Sequence, residues 1–80
     1  MSETMRAVTA ILVAHFELDA TEVVPDARLR EDLDLDSLDA LEMVKHIERD
    51  VGRQLEPEVL EGVATVRDVV HLVERLRDAA

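Results

Sequence analysis

The chain has 80 residues, 48% of them hydrophobic, with Phe16 as its one aromatic and no cysteine. At this length one aliphatic core is only just sufficient, which predicts a single domain over residues 1–80 and argues against a large enzyme cleft. The absence of cysteine excludes a disulfide framework, a thiolate zinc site and a cysteine nucleophile, while 19 acidic against 9 basic residues, a net charge of −10, disfavours nucleic acid and anionic membranes as partners.

The acidity is concentrated in the middle: residues 17–61 hold 15 acids and 5 bases, whereas the two ends hold four of each and cancel. Electrostatic recognition is therefore expected from the middle of the chain, by basic partners. No secretory leader pattern opens the sequence, and no apolar run approaches the roughly 20 residues of a membrane span. The expected location is the cytoplasm.

In chain order, Met5, Val8, Ile11, Leu12 and Phe16 recur at helical spacing and predict a first helix over residues 4–16, with Ser2 or Thr4 as its N-cap. The periodicity then fails over residues 17–36, where Pro25 interrupts the run and Leu18, Val23, Val24, Leu29, Leu33 and Leu35 are the expected inward anchors. A loop of that length in a compact domain tends to be functional. A second helix is predicted over residues 37–51 from Leu38, Leu41, Val44, Ile47 and Val51, with Asp36 as N-cap, Asp39 three residues on and Gly52 where a C′ glycine ends a helix.

Pro57 followed by Glu58 suits the start of a short helix. The last helix is expected after Thr65, whose hydroxyl can cap it with Asp68 answering at the third position, and it buries Val66, Val69, Val70, Val73 and Leu76. The fold class read from this pattern is all-α, three main helices and one short one, with a long loop between the first two and no strand.

The informative segment is residues 29–38, LREDLDLDSL: a serine on the first turn of a helix, directly after an acidic cap, at the end of a long loop. Ser37 is expected to be accessible. A phosphodiester on it would lie at the positive end of the helix dipole, where free amides favour an anion by several tenths to about 1 kcal/mol. Leu38 and Leu41 are expected to turn inward and hold the helix in place.

Asp32-Leu33, Asp36-Ser37-Leu38 and Glu42 resemble the DLxxDSLxxxE signature of acyl carrier proteins. The likeness extends along nearly the whole chain, through the opening helix, the long loop, residues 55–59 and Thr65-Val66-Arg67-Asp68-Val69-Val70. It implies a small four-helix bundle, not an enzyme, in which a phosphopantetheinyl transferase moves 4'-phosphopantetheine from coenzyme A onto Ser37, flanked by Asp36 and Leu38. The thiol of that arm would carry acyl intermediates of fatty acid or polyketide-type biosynthesis as thioesters. Implied partners are the transferase and an acyltransferase, ketosynthase or similar enzyme with a basic docking surface, met by a monomer through Asp39, Glu42, Lys45 and Glu48.

Three positions depart from the family pattern. Asp34 stands where glycine is usual, so a different bend in the loop is expected; Lys45 replaces a usual exposed apolar residue, and Arg49 an acidic one. Docking to ordinary fatty-acid synthase partners is accordingly less secure than carrier status, and a dedicated pathway becomes plausible.

Other readings are weaker. Ser37 could be only a helix cap, and the acids of the second helix only a solvated face, in an unmodified helical module that binds basic partners. Asp32, Asp34 and Asp36 have the alternating spacing of a calcium loop, but the glycine position holds Ser37 and the twelfth position holds Met43 in place of a bidentate glutamate. His15, His46 and His71 lack the i, i+4 spacing of a helical metal pair and read as surface or boundary residues. No strand-turn-helix elbow surrounds Ser37, which leaves a Ser–His–Asp hydrolase unsupported.

Overall fold

A computed structural model describes residues 3–78, with Pro57 and Val59 described by backbone alone. Three α-helices follow in order, α1 (Glu3–Phe16), α2 (Ser37–Val51) and α3 (Val66–Asp78), with a 3₁₀ helix, Pro57–Gly62, between the last two. The three α-helices pack pairwise, each against the other two. Among the described residues there is no β-strand, only one isolated antiparallel bridge between Arg28 and Thr65.

Each helix boundary has a local chemical cause. At α2 the Asp39 N–H donates to Asp36 Oδ1 at 2.9 Å and the Asp36 N–H donates to Asp39 Oδ2 at 3.2 Å, a reciprocal capping box. The helix ends at Gly52, whose φ of 79° lies in the left-handed region that lets its N–H reach the Glu48 carbonyl. At α3 the same device recurs, with the Asp68 N–H donating to Thr65 Oγ1 and the Thr65 N–H to Asp68 Oδ2. Both boxes stand where the sequence predicts them.

For α1 the expectation needs correction. Thr4 is not a cap: it lies within the helix, buried, and its hydroxyl accepts from Arg77 Nη1 at 3.5 Å. The helix begins at Glu3, one residue before the expected start, and Ser2, the other expected cap, lies outside the described residues.

The core is aliphatic, as the composition requires: Leu12, Met43, Ile47, Val8, Val66 and Val69 are its most completely buried side chains. Its burial, at about 25 cal/mol per Å² of apolar surface removed from water, is the main favourable term of the fold. The long loop contributes Val23, Leu29, Leu33 and Leu35 to it, as expected, and also Ala27. Val24 does not join them; it is 46% exposed. Backbone bonds fasten the loop to the start of α3: Leu29 donates to Ala64, Val66 to Ala27 and Arg67 to Pro25, at 2.9 to 3.0 Å. Twenty residues without a regular element are thus held against the bundle at both faces of the Arg28–Thr65 bridge.

The largest correction concerns α2. Leu38 and Leu41 do not anchor the helix; they are 71% and 45% exposed, and the inward face is carried by Met43, Val44 and Ile47. The reason is geometric. Steps of three residues fall short of a 3.6-residue turn by about 60° each, so a stripe centred on Ile47 has rotated out of the core by the time it is followed back to Leu38.

Candidate functional site

Ser37 is the first residue of α2, exposed, and its hydroxyl makes no hydrogen bond among the described residues. Asp36 occupies the cap, so its carboxylate is committed to the Asp39 N–H and its carbonyl to the Ala40 N–H at 3.0 Å. The amides of Ser37 and Leu38 have no acceptor among the described residues, which leaves two donors of the helix terminus free beside the serine oxygen.

The segment before Ser37 is fixed by turns. Asp32 Oδ2 accepts the Arg28 N–H at 2.8 Å while the Asp32 and Leu33 N–H groups both donate to the Arg28 carbonyl. That backbone hydrogen bond, ahead of the nearby Arg28 charge, holds the Asp32 carboxyl below its usual range. Asp34 takes a φ of 56°, the left-handed region that glycine occupies freely. With Asp34 turned out, Leu33 and Leu35 on either side are both buried, and the Leu35 N–H closes onto the Leu29 carbonyl at 2.9 Å. The serine is therefore presented from two buried leucines and a capped helix.

Beside it lies a groove of about 390 Å³ whose lining includes Leu29, Leu35, Ala40, Leu60, Val63 and Ser37 itself. Arg30 also lines it and forms no ion pair among the described residues, whereas Arg28 is engaged by Glu31 and Asp32 at 3.4 and 3.5 Å. The Glu31 and Asp36 carboxylates line it as well, so the groove is largely apolar, along Leu29, Leu35, Leu60 and Val63, and carries charge of both signs. A larger hollow of about 590 Å³ runs along α3 between Asp68 and Asp78. It does not include Ser37, and Asp68, His71, Glu74, Arg75 and Asp78 line it.

Of the other residues singled out by sequence, Glu42 and Lys45 are exposed on α2 and Asp39 is half-buried in the capping box. Glu48 is half-buried, and its Oε2 accepts the Leu55 N–H at 2.6 Å. Asp32, Asp34 and Asp36 are not drawn together, and among the described residues no three His, Asp or Glu side chains form a group that could hold a metal ion. Sequence spacing missed one pairing: His15 of α1 and His46 of α2 stack with ring centroids 3.6 Å apart and planes 11° from parallel. Desolvation at this contact, then His15, then Arg49 lower the His46 imidazole from its ordinary value, with Glu42 opposing. Neither ring approaches Ser37 closely enough to share its groove.

Against known proteins, the family described as the phosphopantetheine attachment site matches residues 6–73. Acyl carrier protein 2 of Ralstonia nicotianae is 36% identical over 75 residues, 94% of this chain and 93% of that protein. An acyl carrier protein of Helicobacter hepaticus is 39% identical over 72 residues, 90% of this chain and 95% of its own length.

Proposed function

This chain belongs to the acyl carrier protein family, whose members carry acyl groups on covalently attached 4'-phosphopantetheine, and from that premise we propose that Ser37 is the attachment residue. The observation that carries the reading is the free hydroxyl of Ser37 at the capped N-terminus of α2, beside two unpartnered amides and a largely apolar groove. In the loading step the Oγ–P bond forms as the P–O–P bond of coenzyme A breaks, adenosine 3',5'-bisphosphate leaves, and the serine proton passes to a base of the transferase. The carrier needs no base of its own. When bound, the arm supplies a terminal thiol for thioester formation.

The remaining parts follow from where the charges stand. Glu42 and Lys45 are exposed beside Leu38 and Leu41 and are available to partners, while Asp39 and Glu48 contribute mainly through the cap and the Leu55 bond. Leu38, facing solvent next to the serine, offers an apolar contact to the transferase and to the acyl-processing enzymes. The partners are acyltransferases, ketosynthases or similar enzymes of fatty acid or polyketide-type biosynthesis, met by a monomeric single-domain carrier in the cytoplasm. Among the described residues no helix is long and apolar enough to cross a membrane.

The test is intact-mass and tandem mapping after incubation with coenzyme A, magnesium and a broad-specificity phosphopantetheinyl transferase. Wild type should gain one arm at Ser37. Ser37→Ala should stay helical, losing less than about 1 kcal/mol because Asp36 still caps, and should gain none. A modified Ser37→Ala protein, or a wild type left bare by several active transferases, overturns the assignment.

A further inference from the structure

The acids and bases of α2 are not equally free. Along its C-terminal half, Glu48 gives its carboxylate to the Leu55 N–H and Asp50 pairs with Arg77 of α3 at 3.6 Å. Lys45 and Arg49 are exposed and form no ion pair among the described residues. Folding therefore engages the anions of this half and leaves its cations available, in a protein of net charge −10. At 3.6 residues per turn, Leu38, Leu41, Glu42, Lys45 and Arg49 share an arc of about 100°, so they form one continuous face. Read from the serine end, that face is apolar, then acidic, then basic. A shallow hollow of about 330 Å³ that includes Lys45, Arg49 and Gly52 continues it past the helix end.

We propose that this face is a two-signed docking surface, and that the acyl-processing enzyme it serves carries an acidic patch opposite Lys45 and Arg49. The inference rests on the assignment of Ser37 as the attachment residue, since it is the serine that brings partners to α2. At 1.5 Å per residue the acidic patch must begin about 12 Å from the point where the partner receives Ser37 and extend to about 18 Å. A basic or apolar socket lies nearer, against Glu42 and Leu38. A uniformly basic partner would repel half of the face, so the two cations select against it as well as for an acidic one. Nucleic acid is disfavoured as the occupant because Glu42 and the acidic cap stand between the cations and the serine, within about one Debye length.

The experiment uses the whole apo protein and a broad-specificity phosphopantetheinyl transferase with a basic docking surface, alongside a variant of that enzyme with the basic residues facing the distal half of α2 reversed to glutamate. The carriers are wild type, Lys45→Gln/Arg49→Gln and Lys45→Glu/Arg49→Glu. With the basic transferase, KM should fall several-fold from wild type to the glutamate carrier, kcat should hold, and the gain should fade by about 0.5 M salt. With the reversed transferase the order should invert. Titrations of ¹⁵N-labelled carriers with each enzyme should move the amides of Lys45 and Arg49, and they read docking whether or not an arm is transferred. Loading of no carrier at all would count against Ser37 alone. Unchanged KM and unmoved amides with both enzymes would overturn the two-signed surface alone, as would micromolar binding of wild type to a single-stranded oligonucleotide that the glutamine carrier loses.

Discussion

Replacing Asp34 by glycine should stabilise the protein, and the size of the gain can be worked from one backbone angle. An ordinary L-residue in the left-handed region pays about 1–2 kcal/mol for the approach of its β-carbon to the following carbonyl, and aspartate somewhat less. Asp34 stands there with φ of 56°, exposed, and its side chain makes no hydrogen bond or ion pair among the described residues. Asp34→Gly therefore removes the clash without losing a contact. Glycine returns about 0.4–1 kcal/mol of this as extra freedom of the unfolded chain, so the net gain should be about 0.5 kcal/mol. For a domain of this size that is about 2–4 °C in thermal midpoint. Thermal and urea unfolding by circular dichroism, at low and high salt, is the assay. Asp34→Ala should lose up to about 1 kcal/mol, because alanine keeps the β-carbon and lacks the local tolerance of aspartate. Asp34→Asn controls for charge: it is isosteric and removes the repulsion from Asp32 and Asp36. If Asp34→Asn matches Asp34→Gly and both gains vanish in salt, the strain argument is wrong and charge relief explains the effect.

The pH dependence should show two separate segments. The His46 imidazole is lowered in the folded state, so the unfolded chain takes up its proton first: stability is intact above the ordinary value of 6.5 and falls as pH drops through the lowered one. His46→Gln should flatten that segment in urea midpoints between pH 7.5 and 5. The Asp32 and Asp68 carboxyls, lowered chiefly by the Arg28 N–H and by the Ala64 N–H respectively, contribute stability that is lost only as pH falls below the ordinary 3.8. Thr65→Ala removes the hydroxyl that accepts the Asp68 N–H at 3.3 Å and should cost about 1 kcal/mol in urea unfolding, with Thr65→Ser near wild type. Glu42→Lys should slow arm transfer from a basic transferase at low salt while leaving the helical circular dichroism unchanged; equal rates at all salt concentrations would remove Glu42 from the docking face.

What the sequence determined by itself is whatever depends on neighbours within about four positions. The three α-helices, the capping boxes of Asp36 with Asp39 and Thr65 with Asp68, the left-handed Gly52 and the short turn at Pro57 all have short-range causes. They were legible for that reason, as was Ser37 on an exposed first turn. Burial along the loop was mostly legible too, since Leu33 and Leu35 alternate about an outward residue; Val24 misled because an aliphatic side chain carries no mark of its direction.

Only the tertiary structure decided which side of α2 meets the bundle. Apolar spacing admitted Leu38 and Leu41 to the core stripe, but Met43 and Ile47 enter the core cluster with Val44 also buried, and the rotation that buries these exposes the two leucines beside the serine. The same packing places His15 on His46, gives Glu48 to Leu55 and Asp50 to Arg77, and so leaves Lys45 and Arg49 free. These pairings join groups from different elements or across a turn. Helical periodicity holds no information about them, because they depend on the relative rotation and height of the helices, which the fit of the whole aliphatic core selects.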